Sequence, residues 1–285
     1  MSAVRRVGVV GCGQMGSGFA DLCARAGLDV SVVAADESGV DRGRRRLAES
    51  WDRAVARGGL DRSEVDAAVS RISWETDLKA LGDHQFVLEA VPEELAAKEE
   101  VFRVLDRVVE DPDAVLASTT SSIPVMRLGR VTALPERVIG LHLFHPVRVI
   151  PLVEVIASLR TSDETVRRTR AFVEDVLGKQ VVLARDLPGF VVNALLVPYL
   201  LAAVRMVQAG TATAEEIDRG MTVACGHPMG PLALVDLIGL DTVGAVAEAL
   251  HAEWREPHFA PPPLLLRMIE AGSLGRKSGA GFHRY

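Results

Sequence analysis

At 285 residues the chain exceeds what one hydrophobic core usually fills, so two domains are expected. A hydrophobic content of 48% beside 25% charged residues is that of a soluble globular protein, and a formal net charge of −6 removes the electrostatic basis for a nucleic-acid role. Cys12, Cys23 and Cys225 show no CxxC spacing, which argues against a disulfide framework and a zinc site and fits a reducing compartment, so no metal is expected.

The start, Met1-Ser2-Ala3-Val4-Arg5-Arg6, has no apolar signal region, and a cytoplasmic location is expected. The apolar Val7–Val10 then runs into Gly11-Cys12-Gly13-Gln14-Met15-Gly16 and a helical stretch to Gly27. This order reads as strand, phosphate turn and helix. Gly11 permits the tight turn, Gly13 removes a Cβ where a pyrophosphate must approach, and Gly16 lets helix and strand pack closely, with the anion on the helix N-terminus. Leu28–Ala35 is a second strand, ending in Asp36-Glu37 where ribose recognition is expected. Residues 38–70 have helical period. Their cluster Arg42, Arg44, Arg45 and Arg46 reads either as a solvated helix face or as a contact for an anionic ligand.

Phe86–Val91 and Ala114–Ser118 are short buried strands around a helix from Glu93 to Val109. Arg137–Phe144, Leu152–Ile156 and Gln180–Ala184 are further strands, the last preceded by a helix from Asp163 to Leu177. Short apolar strands alternating with helices predict an α/β, Rossmann-type doubly wound parallel sheet. From Asp186 onward only helical periods remain, so the expected division is a dinucleotide-binding domain over 1–185 and an all-helical domain over 186–285. The apolar Phe190–Val207 carries Asn193, Pro198 and Arg205. It is expected to be a buried helix at a domain or subunit interface rather than a membrane span.

His142, in Gly140-Leu141-His142-Leu143-Phe144-His145-Pro146, and Glu154, in Pro151-Leu152-Val153-Glu154, lie on two strands that one turn could bring together. A histidine can accept a hydroxyl proton while hydride leaves the same carbon, and a carboxylate on its far nitrogen fixes the tautomer and stabilises the imidazolium.

These segments, with Leu116–Ser122, Pro188–Asn193, His227–Pro231 and Gly275–Gly279, resemble the short-chain L-3-hydroxyacyl-CoA dehydrogenase family, including its bacterial 3-hydroxybutyryl-CoA branch, over essentially the whole chain. The resemblance implies an NAD-dependent oxidoreductase that interconverts a 3-hydroxyacyl thioester and its 3-oxoacyl form. It makes His142 the general base, Glu154 its partner, and Ser121 and Asn193 the residues holding the substrate oxygen. It implies cofactor contacts at Gly11, Gly13, Gln14, Met15 and Gly16 and at Glu93, Lys98 and Lys277, to which the reading of the second strand adds Asp36. It suggests CoA contacts at Ser50 and Arg57, with a solvated helix face as the stronger competing reading, and a homodimer built on the helical domain.

The chain departs from the family pattern at Ala34, where an acid is usual, at Thr119, where Asn is usual, and at His145-Pro146-Val147-Arg148, where Asn-Pro-Val-Pro is usual. Asp36 and Glu37 favour NAD over NADP, with Arg42 and Arg44–Arg46 as the competing phosphate receivers. Arg148 and His145 are read as substrate residues that make the acyl pocket more polar, with an outward-facing Arg148 as the competing reading. Two rival functions are a dehydrogenase of a carboxylated hydroxyacyl group on an acyl carrier protein in a biosynthetic pathway, and a non-catalytic relative that keeps the fold.

Overall fold

The computed structural model describes residues 4–285, divided into a compact unit ending at Leu187 and a second from Pro188 to Tyr285. In the first unit the chain order is β1 (Arg6–Val10), α1 (Gln14–Arg25), β2 (Asp29–Val33), α2 (Glu37–Ala56), α3 (Arg62–Val69), β3 (Ile72–Glu75), β4 (Phe86–Glu89), α4 (Leu95–Val108), β5 (Val115–Ser118), α5 (Val125–Gly129), β6 (Val138–Leu143), β7 (Leu152–Ala157), α6 (Asp163–Ala171) and β8 (Gln180–Arg185). The strands form one eight-stranded sheet in the order β3-β2-β1-β4-β5-β6-β7-β8.

Every neighbouring pair is parallel except β6 and β7, so the sheet is Rossmann-like and mostly parallel. The exception follows from chain length. A parallel return needs a crossover of about a dozen residues or more, and only residues 144–151 separate these strands. The helical stretch expected over 38–70 is two helices. α2 ends before Arg57-Gly58-Gly59, where Gly58 adopts φ +68, and α3 starts after Asp61, whose backbone N–H donates to the Glu64 carboxylate at 2.8 Å. Strand β3 was not expected, because Ile72-Ser73-Trp74-Glu75 is short and half polar and is ordered by pairing with β2.

The central strands β4, β5 and β6 are buried at every position, which is why they read as mainly apolar runs, with Glu89, Ser118 and His142 as buried exceptions. Phe86 sits against Phe172 at a ring-centroid distance of 4.5 Å and near Phe19 at 6.3 Å. Burial of each such ring contributes about 1.5–3 kcal/mol. Trp51 on α2 donates to the Asp21 carboxylate on α1 at 2.7 Å, which ties the two helices together.

The second unit consists of α7 (Val192–Gln208), α8 (Ala214–Cys225), α9 (Pro231–Ile238), α10 (Leu240–Trp254) and α11 (Pro263–Glu270). They pack around a core that includes Leu200, Leu201, Val235, Leu250 and Leu265. Two acids organise it. Asp218 accepts from the N–H groups of Leu232 and Ala233 at the start of α9, while Asp236 accepts from the Phe282 and His283 N–H groups and the Tyr285 hydroxyl. The apolar α7 buries Leu200, Leu201 and Val204 and leaves Leu195 72% exposed. Among the described residues, no helix is long and apolar enough to cross a membrane.

Candidate active site

In open α/β sheets the ligand crevice lies outside the carboxyl ends of the strands, where the strand order reverses. Here that point is β1, paired with β2 on one side and β4 on the other, and Val10, Val33, Glu89 and Ser118 end at one level. The glycine turn leaves β1 there. Gly11 adopts φ +100, and a Cβ on it would press on the Ala90 carbonyl oxygen at 2.6 Å. A Cβ on Gly16 would overlap the Gly11 carbonyl oxygen, whereas one on Gly13 would meet open space. No side chain caps the start of α1. Its first amides and the space over Gly13 therefore fit a pyrophosphate.

A cavity of about 750 Å³ opens over this turn, with Gly11, Gly13, Gln14, Met15, Glu93 and Ser121 on its wall. Ala34, Arg42 and Arg46 line it at the end of β2. Four residues expected to contact the cofactor are not on that wall. Gly16 lies beneath the turn. Asp36 caps α2, accepting from the Gly39 N–H at 2.6 Å and the Ser38 hydroxyl at 2.8 Å, and these bonds hold its carboxyl below the usual aspartate range. Lys98 is 1% exposed. Its ammonium donates to Glu89 at 2.7 Å, lies 3.3 Å from Glu93 and donates to the Val91 carbonyl at 3.2 Å. Asp36 is thus engaged as a helix cap and Lys98 as a buried ion-pair partner. Lys277 lies in the second unit, where it pairs with Asp241 at 2.5 Å.

Lys98 shapes the cavity through Glu93, which accepts from the Thr120 hydroxyl at 2.7 Å, the Ser121 N–H at 3.0 Å and the Ser122 N–H at 3.1 Å. Burial alone would raise the Glu93 pKa, but Lys98 and these hydrogen bonds together hold it below the usual glutamate range. Glu89, which sequence reasoning did not single out, accepts from Lys98 and from the Ser118 hydroxyl at 2.6 Å. The available signal was an acid closing the apolar run Phe86-Val87-Leu88.

His142 and Glu154 are directly opposite in the antiparallel β6–β7 register. The pleat points both side chains to one face, and His142 Nδ1 lies 2.6 Å from Glu154 Oε2. Glu154 is fully buried and His142 is 7% exposed. The carboxylate accepts from Nδ1–H, which orients the ring and fixes its tautomer. His142 is two residues beyond Gly140, the partner of Ser118, so it stands past the carboxyl edge of the parallel strands. Phe144 packs edge-on against it at 4.7 Å.

A second, polar cleft of about 550 Å³ separates α1, α2 and the turn after β6. It is lined by Ser50, Arg57, His145 and Arg148, which brings together four residues expected to meet the substrate. His145 Nε2 lies 2.9 Å from the Gln14 amide nitrogen, and burial lowers its pKa. The ring is therefore neutral near pH 7 and accepts from the amide. Asn193 lies on α7 in the second unit.

A glycine turn at the switch point of a parallel sheet, with a buried histidine–carboxylate pair past the strand edge, defines a nicotinamide-dependent dehydrogenase. The family model for the 3-hydroxyacyl-CoA dehydrogenase NAD-binding domain matches residues 6–187, and that for the 3-hydroxyacyl-CoA dehydrogenase C-terminal domain matches 189–285. The chain belongs to the 3-hydroxyacyl-CoA dehydrogenase family. It is 54% identical over 283 residues to a 3-hydroxybutyryl-CoA dehydrogenase of Mycobacterium tuberculosis, covering 99% of each chain. It matches the crystal structure of M. tuberculosis FadB2 with a TM-score of 0.97 at 54% identity over 100% of both chains. The (S)-3-hydroxybutyryl-CoA dehydrogenase PaaH1 of Ralstonia eutropha matches with a TM-score of 0.93 at 40% identity over 99% of both chains.

Proposed function

We propose that this chain interconverts a 3-hydroxyacyl-CoA, with 3-hydroxybutyryl-CoA as the reference substrate, and the 3-oxoacyl-CoA, using NAD(H) and His142 as general base. The observation that carries this reading is the buried His142–Glu154 pair at 2.6 Å. In the oxidation direction His142 Nε2 takes the hydroxyl proton, and in the reduction direction it returns it. Glu154 holds the ring in the tautomer with Nε2 unprotonated and stabilises the imidazolium that forms. The nicotinamide, when bound, accepts or returns the hydride at the same carbon. Gly11, Gly13 and the start of α1 would hold its pyrophosphate, and Glu93 would face the same cavity with its carboxylate fixed by Lys98 and Thr120.

Ser121 lines the cofactor cavity, which supports its role in holding the substrate oxygen. The same role for Asn193 and a cofactor contact for Lys277 are proposed on the family resemblance alone. With Asp36 engaged as a cap, the choice of NAD(H) rests on the NAD-binding family domain. The resemblance also suggests a homodimer, and exposed Leu195 and Leu237 on the helical unit support it.

The test follows NADH oxidation with acetoacetyl-CoA at the nicotinamide absorbance. Wild type is expected to turn over, and His142→Ala to lose about 10²–10⁴-fold in kcat with NADH affinity unchanged. A variant that keeps a tenth of wild-type turnover removes His142 from the chemistry.

A further inference from the structure

The polar cleft beside the cofactor cavity carries more cationic charge than the CoA contacts expected at Ser50 and Arg57 account for. Its wall holds Arg46, Arg53, Arg57 and Arg148 against the two carboxylates Asp21 and Glu49. The carboxylates are partly engaged. Asp21 accepts from Trp51 at 2.7 Å, and Glu49 lies 3.7 Å from Arg53. Arg46 donates to the Cys12 carbonyl at 2.7 Å, but Arg57 and Arg148 form no ion pair among the described residues. Arg148 is half-buried and near enough to Asp21 to act on its carboxyl, but among the described residues it makes no ion pair or side-chain hydrogen bond with it, so its guanidinium donors are suited to a bidentate anion from outside.

The backbone that carries Arg148 is fixed by an unusual device. Lys179, only 8% exposed, donates to the carbonyls of Val147 at 2.7 Å, Arg148 at 3.1 Å and Ile150 at 2.7 Å. A buried ammonium satisfied by three consecutive-turn carbonyls holds the chain after β6 against β8, so Arg148 is presented to the cleft from a clamped turn. A side chain on a clamped turn loses less conformational freedom on binding than one on a mobile loop. The neighbouring His145 is neutral and occupied by Gln14, which leaves Arg148 as the cation contributed from this side.

We propose that Arg148 binds a phosphate of the CoA moiety, across the cleft from Ser50 and Arg57, and so makes the enzyme select CoA thioesters over thioesters that lack the phosphorylated nucleotide. This rests on the acyl-CoA reading above and deepens it. A carrier-protein phosphopantetheine has no adenosine diphosphate and no 3′-phosphate, so it cannot satisfy arginines on both walls of the cleft. Arg148 lines this cleft and not the adjoining cavity that holds Ser121, which favours a phosphate of the CoA moiety over a carboxylated acyl group as its ligand.

The experiment compares wild type, Arg148→Met and Arg148→Lys on acetoacetyl-CoA and on S-acetoacetylpantetheine, which has no phosphate, and titrates free CoA by calorimetry. The expected result for Arg148→Met is an about tenfold fall in the ratio of kcat/KM between the CoA and pantetheine thioesters, with an about tenfold weaker CoA Kd, as for loss of one charge-assisted hydrogen bond at a half-exposed site. Arg148→Lys should recover part of both. A ratio and a CoA Kd within twofold of wild type in Arg148→Met overturn the proposal, as does an equal loss on both thioesters. If the Met variant fails to fold, Arg148→Lys and the salt dependence of wild-type CoA binding decide it: an unchanged Kd in both overturns it. A wild type that turns over neither thioester overturns the functional reading instead, and the CoA titration still decides on Arg148.

Discussion

Glu154→Gln isolates the charge of the partner carboxylate from its shape. Glu154 is fully buried and its Oε2 lies 2.6 Å from His142 Nδ1, so glutamine fits the same space and can still accept from the ring. What it cannot do is balance the positive charge that His142 gains as it takes the hydroxyl proton. Removing one member of a buried ion pair costs about 3–5 kcal/mol when the other is fully charged. The proton is only part-transferred at the transition state, so about 2–4 kcal/mol of that reaches the barrier, or roughly 30- to 1,000-fold in kcat. Part of the glutamine population also turns its NH₂ toward Nδ1, which places the ring proton on Nε2 and removes the acceptor. Steady-state reduction of acetoacetyl-CoA and oxidation of 3-hydroxybutyryl-CoA, with NADH affinity from fluorescence titration and Tm as a folding control, measure the effect. A variant with native Tm and kcat within fivefold of wild type would refute the reasoning, as would a loss explained by weaker NADH binding.

Three further outcomes follow from the geometry. Ala34→Asp puts a carboxylate on the cavity wall at the end of β2, where it can accept from a ribose 2′-hydroxyl and repel a 2′-phosphate; the ratio of kcat/KM for NADH over NADPH should rise at least about tenfold, and an unchanged ratio rejects this placement of the ribose. Glu93 is held below the usual glutamate pKa, so it binds fewer protons folded than unfolded; its contribution to stability is present above the unfolded pKa of about 4.3 and is lost as pH falls through the lower folded value. Glu93→Gln should therefore show a smaller fall in Tm than wild type as pH drops from about 5 to 3, and parallel curves would count against it. Asp236→Ala strips the acceptor from two backbone N–H groups and the Tyr285 hydroxyl, and should destabilise the protein by about 2–4 kcal/mol in urea unfolding; a loss under 1 kcal/mol means that water replaces the carboxylate.

The sequence by itself determined the features that depend on short stretches. The glycine turn was legible because the positive φ at Gly11 and the close packing at Gly16 are local demands that only glycine meets, while Gly13 leaves the approach to the turn open. The buried strands were legible because parallel strands covered on both faces must be continuously apolar. Tertiary structure decided what those stretches left open. β7 turned antiparallel because its link is short, and that register set His142 opposite Glu154. β3 formed because β2 offered an edge, although its own residues signal little.

Competition between neighbours decided the charged residues. Asp36 went to the α2 N-terminus because its carboxylate lay within reach of the Gly39 N–H, and Lys98 went inside because Glu89 and Glu93 compensated its burial. Arg148 was ambiguous in sequence because a guanidinium six residues past His142 reaches several surfaces. Lys179, distant in sequence, fixed the turn that sets it on the wall of the cleft beside α1 and α2.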